Sequence, residues 1–349
     1  MVTPVPQPVF ADVDTGVDDA MALAYLFASG DAGLVGIAST AGNVPVQQVC
    51  ENNLGLLELC RIDDIPVSRG SEQPVSSPLR TAEDTHGPQG MGYASLPPSD
   101  RRLTTHDAAQ AWVRAAHTHS GELIGVATGP LTNLALALRA EPALPTLLRR
   151  LVIMGGAFEY RGNTTPVAEW NISVDPEAAN EVFAAWGAAW GPGPPQHLPI
   201  VLGLNLTENI AMTPALLGRL ATAAGSPTAP MSVLDDRGTR SVAANPLIRV
   251  LEDAMRFYFE FHVDRREGYL AHLHDPLAAA VALDPDLVEV RPATLGVELT
   301  GTLTRGMTIA DWSGRWGREP NALIGIDVDP AAFFDRFIDR VGQFARGLG

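Results

Sequence analysis

Short apolar runs alternate with helical patterns over the first two thirds of the chain, and this alternation constrains the fold more than any other feature. The runs cover residues 9–13, 34–38, 123–127, 151–154 and 200–204, and a small polar cluster follows each. Continuous apolar runs suit strands that are buried on both faces, and strands that alternate with helices form right-handed β-α-β units. The sequence therefore predicts an α/β fold with an open, mostly parallel sheet and helices on both faces.

The last part of the chain shows a different pattern. Residues 288–312 alternate between apolar and polar side chains, as antiparallel strands do, and residues 330–346 have helical periodicity. Residues 186–199 are rich in Gly and Pro and predict a loop, whereas 221–246 predict a long connection between helices. Since the sequence shows no repeat or domain linker, we predict one α/β domain over residues 1–349, with a small antiparallel addition.

Composition and charge exclude several classes of protein. The chain has 24 basic residues, all of them Arg, against 40 acidic ones, which gives a net charge of −16 and argues against a nucleic-acid partner. An apolar content of 46% is enough for a large core. No apolar run approaches the ~20 residues that span a bilayer, and the N-terminus lacks the features of a signal peptide. We therefore predict a cytoplasmic protein without membrane contact, in which Cys50 and Cys60 are reduced core residues.

The polar clusters that follow the strands predict where a ligand binds. The carboxyl ends of parallel strands lie at one edge of an open α/β sheet, and ligands bind at that edge near a topological switch point. Loops are polar in any protein because they are exposed. These clusters, however, are rich in Asp, Asn, Thr and Gly and contain no Arg. The pattern favours a site for a cation or a neutral polar ligand.

Four acids, Asp12, Asp14, Asp18 and Asp19, lie within eight residues at the end of the first predicted strand. Carboxylates this close raise one another's pKa values unless a cation gathers them, and oxygen ligands suit Ca²⁺ or Mg²⁺. Gly16 permits the tight turn that folds the segment. In a purely structural interpretation, Asp14 is an N-cap and Asp18 and Asp19 are ordinary first-turn acids. That interpretation does not explain Asp12 beside Asp14, so we predict a cation site.

A second interpretation of the same segment is a phosphatase. An Asp-x-Asp pair after a first strand resembles the haloacid dehalogenase phosphatases, in which Asp12 would be the nucleophile and Mg²⁺ the metal. Those enzymes carry Thr or Val two positions after the second Asp, where this chain has Gly16, and they typically keep a Lys, which this chain lacks. The phosphatase is therefore the weaker alternative.

The segment DVDTGVDDAMAL at residues 12–23 resembles the N-terminal signature of the nucleoside hydrolases, with Thr15 where Pro is usual. Five further parts of the family pattern follow in order along nearly the whole chain. They are TAGN at 40–43, HGPQGMG at 86–92, ATGPLTN at 127–133, MGGAF with GNTTPVAEWNISVDPEAA at 154–158 and 162–179, and HDPLAAA at 274–280. Six motifs in the family order make a specific resemblance.

The resemblance implies hydrolysis of the N-glycosidic bond of a ribonucleoside, which yields free base and ribose, with Ca²⁺ at the floor of the pocket. The implied Ca²⁺ ligands are Asp14, Asp19, Asp275 and the main-chain carbonyl of Thr128, together with two sugar hydroxyls and a water. Asp14 would also be the general base, and Asp12 would support the cluster. The resemblance further implies a homo-oligomer, a dimer or a tetramer. A non-catalytic ribose- or nucleoside-binding protein on the same scaffold is a third interpretation, against which the complete set of expected catalytic residues argues.

The resemblance also assigns residues to the substrate. Asp18 would hold the 2′-hydroxyl, Asn171 the 3′-hydroxyl, and Asn163 with Glu169 the 5′-hydroxyl, while Asn43 would touch the ligand acids or the ribose. As loop residues, Asn side chains are also common without any ligand. Inside the ordered set of motifs, the ribose role is favoured.

The leaving base needs a proton or a strong hydrogen bond, and His274 has the residue type and position of a general acid. In the purine-specific branch an aromatic residue replaces it, so His274 points to the inosine–uridine-preferring or pyrimidine-preferring branches. Its neighbour Asp275 could instead cap a helix that begins at Pro276. His86 lies in a Gly-rich loop that could close over the ligand. For three more residues that the family places near the base, packing or exposure is an equal alternative: Tyr258, His262 and Tyr269.

Overall fold

The fold is built on a nine-stranded sheet in a computed structural model that describes residues 5–191 and 193–349. The strands of this sheet are β1 (Gln7–Val13), β2 (Ala32–Ser39), β3 (Val67–Arg69), β4 (Leu123–Ala127), β5 (Leu148–Met154), β6 (Ile200–Leu202), β9 (Val288–Val297), β10 (Thr308–Asp311) and β11 (Ala322–Val328). Two short strands, β7 (Ala211–Met212) and β8 (Ala271–His272), form a separate antiparallel pair.

The strand order of the large sheet is β10-β9-β11-β6-β5-β4-β1-β2-β3. All pairs from β3 to β11 are parallel, whereas β9 is antiparallel to both of its neighbours. The structure confirms the mostly parallel sheet and the antiparallel addition over residues 288–312. The chain leaves β1 towards β2 and β3 and later returns on the opposite side with β4. The carboxyl ends of β1 and β4 therefore flank a topological switch point.

Helices cover both faces of the sheet. They are α1 (Val17–Ala28), α2 (Val46–Leu59), α3 (Glu83–His86), α4 (Ala108–Thr118), α5 (Thr132–Ala140), α6 (Leu144–Leu147), α7 (Trp170–Val174), α8 (Pro176–Trp190), α9 (Leu204–Thr207), α10 (Pro214–Ala223), α11 (Pro246–Asp264), α12 (His274–Leu283) and α13 (Pro330–Leu348). The helix predicted at 330–346 is confirmed as α13.

The core has two parts because successive side chains of each strand point to opposite faces. In β5, Val152 packs in the core under α1, α11, α12 and α13, while Leu151 and Ile153 pack in the core under α4, α5 and α8. Both sets of side chains are buried, which explains why the sequence of β5 is continuously apolar from Leu151 to Met154.

Two boundaries differ from the sequence predictions. The strand predicted at 200–204 ends at Leu202, since the chain turns into α9 at Leu204. The loop predicted at 186–199 is wrong for its first five residues, because α8 continues to Trp190. The buried indole of Trp186 and a hydrogen bond of 3.0 Å from Trp190 Nε1 to the Pro145 carbonyl hold this last turn in place, although Gly is a poor helix former.

Two expectations from composition can be compared with the structure. Cys50 and Cys60 are both buried and free, as predicted. Among the residues that the structure describes, no helix combines the length and the apolar character that crossing a bilayer requires.

Candidate active site

The polar segments after the strands meet in one cavity of about 440 Å³ at the carboxyl edge of the sheet, beside the switch point. A cavity of this size suits a small molecule. Most of the candidate residues line it, namely Asp18, Asn43, His86, Thr128, Asn163, Glu169, Asn171, His274 and Asp275. The remaining three, Asp12, Asp14 and Asp19, are buried beneath its floor.

Acids that are more than 250 residues apart in the sequence, Asp18 and Asp19 on one side and Asp275 on the other, come together at this floor. One carboxylate oxygen from each of Asp18, Asp19 and Asp275 lies within 4.8 Å of the other two. Asp14 is close enough for its charge to raise the pKa of Asp275. The N-cap of α1 is Gly16 and not Asp14, so the structural interpretation of Asp14 as a helix cap does not hold.

Asp14 has an oxygen with no partner. Its Oδ2 accepts a hydrogen bond of 2.8 Å from the main-chain N–H of Asn43, but its buried Oδ1 has no hydrogen-bond partner among the described residues. A Cβ atom at Gly129 would lie 3.0 Å from this Oδ1, and one at Gly42 would overlap the carboxylate. Because a buried carboxylate oxygen without a partner is costly, its surroundings favour a cation.

Asp19 is held on both of its oxygens. The Thr128 hydroxyl donates to Oδ1 at 2.7 Å, while the main-chain N–H of Gly16 and Asn43 Nδ2 donate to Oδ2 at 2.9 and 3.2 Å. The carbonyl of Thr128 accepts a hydrogen bond of 2.6 Å from Asn171 Nδ2. Through these two hydrogen bonds, Thr128 connects Asp19 to Asn171, the residue that the sequence analysis assigned to the ribose.

Burial and mutual repulsion make the acidic floor unfavourable on its own. Burial raises the pKa of Asp18 to about 7, and the charge of Asp19 adds to the effect. Burial and the charges of neighbouring acids also raise the pKa values of Asp14 and Asp275 well above the ordinary range. No arginine in the described ranges forms an ion pair with any of these acids. The floor offers oxygen donors and no compensating positive charge, which is the environment that a hard divalent cation fits.

The raised pKa values predict how pH affects the metal-free protein. The folded-state pKa of Asp18 is about 7 against an ordinary value of 3.8, so the folded state holds a proton that the unfolded state releases, and stability is lost as pH rises. We therefore compare the melting temperatures of Asp18→Asn and wild type in the presence of a chelator. We expect the value for Asp18→Asn minus that for wild type to increase steadily as the pH rises from 3.8 to about 7. Thermal melts across the range measure this difference. A difference that stays constant would contradict the prediction.

Asp12 is tied into the scaffold by three donors. Trp112 Nε1 donates to Oδ2 at 2.7 Å, Asn133 Nδ2 donates to Oδ1 at 3.0 Å, and the Thr40 hydroxyl also donates to Oδ1. Burial raises the pKa of Asp12 to about 6. Asn133 ends one of the sequence motifs, but nothing in the sequence points to Trp112, which is one hundred residues from its partner. A carboxylate that is 2% exposed and already engaged is poorly placed as a nucleophile.

Replacing Trp112 by Phe removes the donor to Asp12 Oδ2 and leaves a buried carboxylate oxygen without that partner. We expect a loss of about 1–3 kcal/mol in the free energy of unfolding, measured by denaturant melts at pH 8. Trp190→Phe is the matched control, because Trp190 donates to a neutral carbonyl in a half-buried position. If the two variants lose equal stability, the hydrogen bond to Asp12 is not the cause.

Glu169 organises the loop on the opposite side of the cavity. It is the N-cap of α7 and accepts three main-chain hydrogen bonds of 2.8 to 3.0 Å, from Gly156, Asn171 and Ile172. Burial raises its pKa to about 7. Asn163 lies at the exposed rim of the same cavity. Glu169 therefore fixes the position of Asn171, whatever else it contacts.

His274 begins α12, so the alternative in which Asp275 caps this helix is wrong. The N-cap is Leu273 and Asp275 lies in the first turn, because the helix starts two residues before Pro276. His274 Nδ1 lies 2.7 Å from the hydroxyl of Thr207, a residue that the sequence did not single out. Burial lowers the pKa of His274 well below its ordinary value, and three neighbouring histidines add to the effect. The ring is neutral near pH 7.

His86 also lines the cavity. Its Nδ1 accepts a hydrogen bond of 3.1 Å from the main-chain N–H of Val17, so the proton of the neutral ring is on Nε2. A Cβ at Gly16 would come within 2.5 Å of this Nδ1, which explains the need for glycine there. Tyr258 and His262 also line the cavity, whereas Tyr269 packs against Phe259 outside its lining.

The fold and the site are those of a nucleoside hydrolase, an enzyme that cleaves N-glycosyl bonds. The model of the family described as inosine-uridine preferring nucleoside hydrolase matches residues 9–335, and the chain belongs to this family. The family match sets aside the phosphatase alternative, in agreement with the engaged state of Asp12.

Relatives with different stated substrates are similar to this chain over nearly its whole length. The pyrimidine-specific ribonucleoside hydrolase RihA of Salmonella typhi is 33% identical over 340 residues, which are 97% of this chain and 99% of the relative. The solved purine-preferring ribonucleoside hydrolase from Gardnerella vaginalis has a TM-score of 0.84 at 28% identity, covering 97% of this chain and 99% of that one. A plant nucleoside hydrolase gives the same four values.

Proposed function

We propose that this protein is a Ca²⁺-dependent ribonucleoside hydrolase that releases free base and ribose and prefers pyrimidine nucleosides such as uridine. One observation carries the metal-dependent reaction: Asp275 joins the first-strand acids at the floor of a cavity, beside the orphan Oδ1 of Asp14. The base preference is supported by His274 and by the likeness to RihA.

The Ca²⁺ ligands would be Asp14, Asp19, Asp275 and the carbonyl of Thr128. Ca²⁺ prefers carboxylate and carbonyl oxygens, and these residues supply both. When bound, it supplies a positive charge that attracts hydroxyl oxygens and keeps the nearby carboxylates ionised. Asp12 lies behind them and fixes the end of β1 through its own three hydrogen bonds.

The ribose would lie directly over this floor. We place the 2′-hydroxyl at Asp18, the 3′-hydroxyl at Asn171, and the 5′-hydroxyl at Glu169 and Asn163. As the N-glycosidic bond breaks, positive charge develops at C1′, and the buried carboxylates stabilise it. Asp14 takes a proton from the attacking water, a role that its unpartnered Oδ1 suits.

The leaving base would be stabilised by His274. When the Thr207 hydroxyl donates to Nδ1, the ring proton is on Nε2, the nitrogen left available to the cavity that His274 lines. Nε2–H then donates to the departing base, on which negative charge builds as the bond breaks. Thr207 is a positioning residue that sets the tautomer and the angle of the ring.

The proposal is tested by release of reducing sugar from uridine, cytidine, inosine, adenosine and guanosine. We expect activity with Ca²⁺, its loss with a chelator, and kcat/KM values highest for the pyrimidines. We also expect Ca²⁺ to stabilise the fold, by about 2.7 kcal/mol at a hundred times its Kd. Purine nucleosides as the best substrates would overturn the base preference alone. Nucleoside binding without turnover would overturn the proposed reaction and favour a non-catalytic nucleoside-binding protein.

The homo-oligomer, a dimer or a tetramer, stays a prediction from the family resemblance. The mass of the protein in solution, from light scattering, tests it directly. A monomer at micromolar concentration would contradict it and would leave the proposed reaction unaffected.

A further inference from the structure

Three metal-ligating side chains meet at the wall of the cavity, away from the acidic floor. They are His262 in the last turn of α11, Glu267 in the following loop and His272 in β8, and we call them the histidine–glutamate cluster. One ligand atom from each lies within 4.8 Å of the other two. All three residues line the cavity.

The two imidazole rings are already oriented for ligation. His262 Nδ1 donates to the carbonyl of Tyr258 at 2.8 Å, which leaves Nε2 with a free lone pair 3.8 Å from Glu267 Oε2. Metal-ligating histidines almost always donate their other N–H in this way, because the second hydrogen bond fixes the tautomer and the ring angle.

His272 supplies a second ring nitrogen that is free to ligate. Its buried Nδ1 has no hydrogen-bond partner in the described part of the chain. The centroids of the His262 and His272 rings are 5.3 Å apart. One nitrogen from each ring and one carboxylate oxygen of Glu267 therefore lie close enough together to share one ion.

We propose that the histidine–glutamate cluster is a binding site for Zn²⁺ or a similar transition-metal ion. Two imidazole nitrogens and one carboxylate form a common zinc set with three protein ligands, in which a fourth position stays open. All three residues line the cavity, so that position would be within reach of a bound ligand. The acidic floor offers only oxygen ligands, so the two sites differ in the metal that they select.

Arg161 and Arg265 both line the cavity, so their two positive charges oppose the ion. The guanidinium of Arg161 lies 3.7 Å from Glu267, but its closer partner is Glu208 at 2.8 Å. The carboxylate of Glu267 is therefore able to turn to a metal while Arg161 keeps an ion pair. Removing the guanidinium in Arg161→Gln is expected to strengthen metal binding.

Occupation of the cluster has a consequence for turnover that rests on the proposed function. The ring of His272 is 5.8 Å from the ring of His274, so the ion would lie beside the group assigned to the leaving base. We expect Zn²⁺ to inhibit nucleoside hydrolysis in the presence of saturating Ca²⁺. The binding measurement below does not depend on activity, so the two proposals fail separately.

The site is tested by titrating the Ca²⁺-loaded protein with Co²⁺ and recording the visible absorption of the ion. We expect one equivalent with the intense bands of tetrahedral coordination, displaced by Zn²⁺. His272→Gln and His262→Gln should weaken binding by at least about 100-fold, since outer-shell partners alone are worth 10–100-fold. Arg161→Gln should tighten it.

Two controls locate the site. Asp14→Asn should keep the Co²⁺ spectrum, which excludes the acidic floor as its source. His117→Gln removes an exposed histidine that lies 2.8 Å from Glu141 and should change nothing. If a buried histidine variant does not fold, Glu267→Gln in the exposed loop gives the same test. No tetrahedral bands in the wild type, or bands that survive all three cluster variants, would overturn the site.

Discussion

Asp14→Asn is expected to lower kcat for uridine by about 10⁴-fold or more. General-base catalysis alone contributes about 10²–10⁴, and the substitution also removes a proposed metal ligand. The fold should persist, because the neutral amide relieves repulsion among buried acids and can still accept the hydrogen bond from the Asn43 N–H. Sugar release under saturating Ca²⁺ measures the loss, and thermal melts measure stability.

The control for this experiment is Asp64→Asn, which removes an exposed acid far from the cluster in sequence and should leave kcat unchanged. The stability data add a second criterion. Asp14→Asn should melt at or above the wild-type temperature without metal and should lose most of the stabilisation by Ca²⁺. A variant that retains a tenth of the wild-type kcat would end the assignment of Asp14 as the base.

His274→Ala is expected to lower kcat for uridine by about 10²–10³-fold, as the loss of a proton donor does. The loss should nearly disappear with 4-nitrophenyl β-ribofuranoside, whose phenolate leaves without a proton. This contrast separates stabilisation of the base from general damage to the site. Steady-state rates for both substrates, with the same batch of enzyme, provide the comparison.

Asp14→Asn is the internal control, because it should lose activity towards both substrates alike. His117→Ala controls for the loss of any histidine, since His117 is exposed and distant in sequence from the cavity. Equal losses of His274→Ala on uridine and on the activated riboside would show that His274 positions the substrate and does not assist the base.

The sequence predicted five of the seven strands in the parallel part of the sheet, because each of these five contains a short apolar run. It missed β3, which has only three residues, and β11, whose last three residues are not buried. It also predicted the acids of the floor, since Asp12 to Asp19 are neighbours along the chain and the pattern around Asp275 completes the family order. In the structure Asp18, Asp19 and Asp275 lie close together, with Asp18 and Asp275 lining the cavity.

The contacts that orient Asp12 and His274 could not be predicted from the sequence. Trp112 reaches Asp12 from a helix on one face of the sheet, and Thr207 reaches His274 from a one-turn helix after β6. Both are long-range pairs, and no local pattern in the sequence links their members. The same reason hid the end of α8, where packing of Trp186 outweighed the Gly and Pro content of the segment.

The cavity is lined by two different parts of the chain. Its floor comes from strand ends and the first turns of α1 and α12, which are fixed by the sheet, whereas much of the opposite wall comes from the excursion between α10 and β8. Changes between α10 and β8 would therefore alter this wall while the residues proposed to hold the sugar stay in place. This arrangement is a physical route by which one ancestral hydrolase could give rise to enzymes that prefer different nucleosides.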